Sequence, residues 1–168
     1  LIMYSETKIV KQEFHDACGI GFIAELSAIP TRRVIDLSIE ALKNMSHRGA
    51  SGTDERTGDG TGLLTDIPQE YFKLVLEEEL DTKFKDEKLG IAMVFTTDKD
   101  LSDLESKFKN KSAELNIKYI GAREVPVNKL VLGDIAKETC PQIVQFFFRD
   151  KDERNDFESR LYLLRKSI

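Results

Sequence analysis

The sequence predicts a layered domain of the α+β kind, in which strands and helices alternate along the chain. Three observations carry that expectation. Short apolar runs recur at 89–96, 117–125 and 143–148. Between and around them lie segments whose apolar residues return every three or four positions, the period of a helix with one buried face. Hydrophobic residues make up 40% of the chain and charged residues 33%, a balance that builds a core and argues against disorder.

Residues 1–17 show no sustained period and read as an extended leader. From Cys18 to Ile23 small and large side chains alternate, which predicts a strand with one face open to close approach. Pro30 and Thr31 mark a helix start, and Val34, Leu37, Ala41, Leu42 and Met45 form its apolar stripe. His47-Arg48-Gly49-Ala50 ends that helix, with Gly49 expected in the left-handed conformation. Gly52, Gly58, Gly60 and Gly62 then punctuate a polar loop or hairpin. Leu63, Leu64 and Ile67 predict a strand, and Pro68 opens a helix buried through Tyr71, Phe72, Val75 and Leu76. Glu77-Glu78-Glu79 reads as the solvated end of that helix.

Leu89 to Thr96 predicts a buried strand. Leu101, Leu104, Phe108 and Leu115 predict a helix, with Ser102 and Glu105 expected as a capping box. Ile117 to Val125 reads as a strand, and Leu132 to Thr139 as a short helix that stops before Pro141. Ile143 to Phe148 is a strongly apolar strand. Phe157, Leu161 and Leu164 mark a last helix, with Arg160, Arg165 and Lys166 read as basic residues toward its end. A chain of 168 residues without an internal repeat or linker suits one domain or part of one.

Composition removes several classes of function. The net charge is −5 and no basic stripe is visible, so no nucleic-acid partner is expected. No apolar run approaches the length of a membrane span, so no membrane is expected either. Residues 1–17 lack the apolar stretch of a secretory signal. Cys18 and Cys140 stand far apart with no Cys/His cluster, so no metal site is expected, and a reducing compartment, the cytoplasm, is.

On its residues alone Cys18 has two readings. The commoner is a small buried hydrophobe. The other is a nucleophile, since Gly19 and Gly21 allow a backbone to approach the sulfur closely.

Five blocks sharpen the choice: Cys18-Gly-Ile-Gly-Phe-Ile-Ala24, Met45-Ser-His-Arg-Gly-Ala50, Thr57-Gly-Asp-Gly-Thr-Gly-Leu-Leu64, Ala122-Arg-Glu-Val-Pro-Val-Asn128 and Phe157-Glu-Ser-Arg-Leu-Tyr162. Together and in this order they are similar to the N-terminal part of the glutaminase domain of glutamate synthases. One position departs from the pattern: Ala122 stands where that family usually has tryptophan.

The resemblance implies a partial N-terminal nucleophile hydrolase, a four-layer αββα sandwich. It implies that residues 1–17 are a propeptide, that the chain is cut between Ala17 and Cys18, and that residues 18–168 are the first part of the amidotransferase domain. Cys18 would be the nucleophile and its freed α-amine the general base. A thiol ionises near 8.5 and a chain-end amine near 7.7–8.0, so the amine can take the thiol proton while an amide nitrogen cannot.

Arg48 has two readings, a part of the glutamine pocket or a pin for the loop after the first helix, the second being favoured. His47 is read as structural, Asp59 as a turn former and Cys140 as a buried or loop cysteine. The implied partners are glutamine, the remainder of a glutamate synthase chain and its small subunit. FMN and an iron–sulfur cluster are expected in the full-length parent and not in this segment. The Arg-Phe-Ser-Thr and His-Asn-Gly-Glu blocks that hold glutamine and the oxyanion in this family do not occur in the 168 residues, so this segment alone is expected to be inactive. Two readings stand beside this one: a non-catalytic relic or interaction module, and a segment of another class II amidotransferase.

Overall fold

The computed structural model describes residues 19–27, 29–54, 56–83, 88–96, 98–151 and 156–168, with the backbone alone at Arg48, Asp98 and Lys99. The chain divides into two units, residues 1–63 and 64–168.

The first unit holds one long helix, α1 (Arg32–Asn44). Thr31 is its N-cap in extended conformation, as the Pro30-Thr31 start predicts. Met45 closes it, and a 3-10 turn follows over Ser46–Arg48. The predicted left-handed Gly49 is corrected: its φ is −92° and ψ 149°. The 3-10 turn ends the helix without an inverted residue, since the Gly49 N–H bonds the Ser46 carbonyl at 3.2 Å.

The predicted strand at 18–23 is also corrected over its described part. Residues 19–25 carry no strand, and Ile20 and Phe22 are almost fully exposed. The same holds for 63–67. Alternation gives a segment the side chains of a strand, but a strand exists only through pairing, and among the described residues neither segment is paired.

The second unit is built on a three-stranded antiparallel sheet of order β1-β3-β2. Its strands are β1 (Leu89–Thr96), β2 (Ile117–Glu124) and β3 (Gln142–Asp150). β3 lies in the middle and is covered on both faces, which explains its strongly apolar run. Val144, Phe146 and Phe148 point to one side, where they pack with Phe108 of α3 (Asp98–Glu114) and with Phe157 and Leu164 of α5 (Phe157–Ser167). Phe147 points to the other side, against Phe72, Val75 and Leu76 of α2 (Gln69–Leu80). Phe146 and Phe147 are fully buried, each contributing about 1.5–3 kcal/mol of burial.

Tight backbone approach shapes this packing. A side chain at Gly90 of β1 would lie 2.7 Å from the Leu161 Cδ2 and 3.3 Å from the Phe157 ring, so the glycine lets α5 settle on the sheet. A short helix, α4 (Asp134–Thr139), precedes β3 and ends before Pro141 as predicted. The expected capping box is corrected. α3 opens at Asp98, so Ser102 lies inside the helix, where its carbonyl accepts the Ser106 hydroxyl at 2.9 Å. Leu101, inside the helix, packs against the core.

The mixed helix and antiparallel sheet agree with the α+β expectation at that level. Among the described residues there is one sheet, not the two of an αββα sandwich.

Candidate functional site

The predicted nucleophile Cys18 and the predicted cleavage residue Ala17 lie outside the described residues, and of Arg48 only the backbone is described. Their chain neighbours are placed. Gly19 rests against the C-cap of α1: a Cβ there would stand 2.9 Å from the Met45 Sδ. The residue after Cys18 is thus next to the residue that opens the Met45–Ala50 block.

His47 meets the end of α1 through one hydrogen bond. Its Nδ1 lies 3.0 Å from the Asn44 carbonyl oxygen. A carbonyl only accepts, so Nδ1 is the protonated nitrogen, and the ring serves the helix end. This agrees with the structural reading of His47.

The next two blocks are laced together. The Ala50 N–H donates to the Asp59 carboxylate at 2.9 Å, and the Asp59 N–H donates back to the Ala50 carbonyl at 2.9 Å. Ser51 and Gly58 form an antiparallel bridge between them. At the tip, the Asp54 carboxylate accepts from the Thr57 N–H at 2.8 Å and from its hydroxyl at 2.7 Å. Asp and Gly do what a tight polar turn asks of them. Asp59 is a turn former, as expected, and its carboxylate is bound to backbone.

Two buried arginines belong to the last two blocks. Arg123 is almost buried and donates to the Gln145 Oε1 at 2.8 Å and to the Glu79 carboxylate at 2.8 Å. It also lies over the rings of Tyr71 and Phe72 at 5.9 and 5.8 Å. Burial acts to lower its pKa, but the bonds to Tyr71 and Glu79 prevail and hold it above the ordinary value, so it stays charged. Glu79 is therefore more than a solvated helix end: it anchors α2 to β2.

Arg160 bonds Asp150, Asp156 and the Asn116 carbonyl, and the Asp150 bond pushes its pKa further up. It sits in the first turn of α5, so the reading as a basic residue toward the helix end is corrected. Both arginines are structural ties across more than forty residues of sequence. A polar Gln145 inside an apolar run was the one signal for the first of them.

An open depression of about 250 Å³ runs beside α1, with Ile23, Leu26, Val34 and Leu37 in its wall and Glu25 and Arg33 as its charges. Among the described residues no group of His, Cys, Asp and Glu is placed to hold a metal ion. No helix among them is long and apolar enough to cross a membrane. Cys140 is a free, part-buried cysteine next to Pro141.

The sequence profile of the glutamine amidotransferases class-II matches residues 18–168. The chain belongs to that family. As a class-II amidotransferase chain, it is 38% identical over 156 residues to ferredoxin-dependent glutamate synthase 1 of Arabidopsis thaliana, a match covering 90% of this chain and 10% of that protein. It is 35% identical over 162 residues to the glutamate synthase [NADPH] large chain of Azospirillum brasilense, covering 94% and 11%. The large chain of Bacillus subtilis is 34% identical over 165 residues, covering 94% and 11%. The amidotransferase chain thus spans about a tenth of the length of the curated relatives it matches.

Proposed function

We propose that residues 18–168 are the nucleophile-bearing part of a glutaminase unit that supplies ammonia within a glutamate synthase, and that residues 1–17 are a propeptide. The observation that carries this reading is that the family match begins at Cys18 itself, the residue whose amine has to become a chain end. The relatives' names support glutamate synthase over other class II amidotransferases.

The chemistry follows from the groups at one residue. Cleavage of the Ala17–Cys18 bond frees the α-amine beside the thiol. The amine takes the thiol proton, and the sulfur attacks the side-chain carbonyl carbon of glutamine. The carbon–nitrogen bond breaks, and the amine's proton leaves with the nitrogen as ammonia. Water then splits the thioester, giving glutamate and restoring the thiol. Arg48 is assigned to the glutamine pocket, on a loop held after α1. The ammonia would aminate 2-oxoglutarate in the rest of the parent chain.

The four-layer αββα sandwich belongs to the same proposal. The sheet with α3 and α5 supplies a strand layer and a helix layer, and the alternating segments 19–23 and 63–67 have the pattern of strands awaiting partners. FMN and an iron–sulfur cluster are assigned to other parts of the parent. The two cysteines here are too few for a four-thiolate cluster, and none of the steps above uses either group. A small subunit is a further partner of the parent. A cytoplasmic location is proposed on the chain's thiols, while four plant relatives are named chloroplastic, one of them chloroplastic/mitochondrial. The 168 residues alone are proposed to be inactive, because the residue blocks for the glutamine carboxylate and the oxyanion are not in them.

The test is glutamine hydrolysis by the full chain of the parent, of which these 168 residues are a part. Activity should require a mature N-terminus at Cys18 and vanish in Cys18→Ala. Hydrolysis that survives Cys18→Ala would refute the assignment.

A further inference from the structure

We infer that Asp59 is a positioning residue for the glutaminase reaction, acting through the loop that carries Arg48; this rests on the function proposed above. Two hydrogen bonds join the same two residues in opposite directions, Ala50 N–H to the Asp59 carboxylate and Asp59 N–H to the Ala50 carbonyl, each 2.9 Å. The position before Asp59 admits no side chain. A Cβ on Gly58 would meet the Ala50 carbonyl oxygen at 2.8 Å, and that oxygen is itself held by the Asp59 N–H. The far end of the clip is closed by Asp54 and Thr57.

Arg48 stands just before this clip. The next amide, Gly49, is bound to the Ser46 carbonyl, and the one after, Ala50, to Asp59. Two consecutive anchors follow Arg48, and the second comes from a carboxylate nine residues further on. Such fixing of a loop is what a substrate-holding arginine needs, since positional error costs rate. The carboxylate is engaged as an acceptor for a backbone N–H. A side-chain amide oxygen of the same shape can do that, so the role needs an acceptor and not a base.

The experiment measures steady-state glutamine hydrolysis by the full chain in wild type, Asp59→Asn, Asp59→Ala, Arg48→Ala and the double variant Arg48→Ala/Asp59→Ala. Arg48→Lys replaces Arg48→Ala in the cycle if the latter leaves too little activity to measure. Asp59→Asn should stay within about threefold of wild type, and Asp59→Ala should raise KM for glutamine about tenfold with a smaller change in kcat. The double variant should fall within about twofold of the Arg48 variant alone, because the clip acts only through that loop. Three results overturn the inference with the function intact: additive losses in the double variant, a wild-type KM in Asp59→Ala, or Asp59→Asn as impaired as Asp59→Ala. A wild-type full chain that does not hydrolyse glutamine overturns the function and this inference together.

Discussion

Arg160 of α5 donates to the carbonyl oxygen of Asn116 at 2.9 Å, closing the left-handed turn (φ 55°) through which α3 passes into β2. The same guanidinium bonds Asp150 at the end of β3 and Asp156 before α5. Four segments of chain meet at one planar group whose donors are fixed in a fork.

Lysine cannot reproduce that fork. Arg160→Lys should lower stability by about 2–3 kcal/mol, because it removes the forked bonds to Asp150 and the Asn116 carbonyl in a nearly closed site. Arg165→Lys, on an exposed turn of the same helix, should change it by less than about 0.5 kcal/mol. Urea unfolding of the two variants reads the difference, and equal midpoints would contradict it.

Arg123 gives a second, asymmetric pair. Its side chain is 7% exposed while that of Glu79 is 45% exposed. Arg123→Ala should cost about 3 kcal/mol, since it strands the buried Gln145 and removes the cation over Tyr71 and Phe72. Glu79→Gln should cost about 1 kcal/mol or less, because water already screens that end. Thermal or urea unfolding decides, and a larger loss in Glu79→Gln than in Arg123→Ala would refute the ranking.

Tyr119 ties stability to alkaline pH. Burial first, and then its 2.9 Å bond to Glu105, raise the phenol pKa well above the ordinary value. In the unfolded chain the phenol ionises near 10. Above about that pH the unfolded state has lost a proton that the folded state keeps, so stability falls as pH rises. Tyr119→Phe removes this dependence. Its unfolding free energy should decline less between about pH 9 and 11 than that of wild type. Identical slopes would show that Tyr119 contributes nothing to the alkaline loss.

The helices and the three formed strands were legible because their signals are local. The stripe from Val34 to Met45 has the helical period, and the run from Ile143 to Phe148 is apolar on both faces because both faces are covered. Other features depend on distant chain. Gly19 to Ile23 and Leu63 to Ile67 carry strand patterns, but pairing decides whether a strand forms. The helix start at Asp98 outcompeted a capping box at Ser102 because Leu101 packs into the core. Arg123 and Arg160 find partners 44 residues away, a distance no local pattern encodes.

The candidate site was legible in part. Asp59 and His47 were readable as structural residues from their turn and helix-end positions, whereas the reciprocal bonds between Asp59 and Ala50 became visible only in three dimensions.

The central claim concerns the nitrogen of Cys18. Intact-mass and N-terminal sequencing of the full chain, taken alongside its glutaminase rate, test it most directly. The account predicts that every actively hydrolysing molecule begins at Cys18, and that a variant blocked from losing residues 1–17 is inactive. Glutamine turnover at the full rate by molecules in which Ala17 is still joined to Cys18 would contradict it.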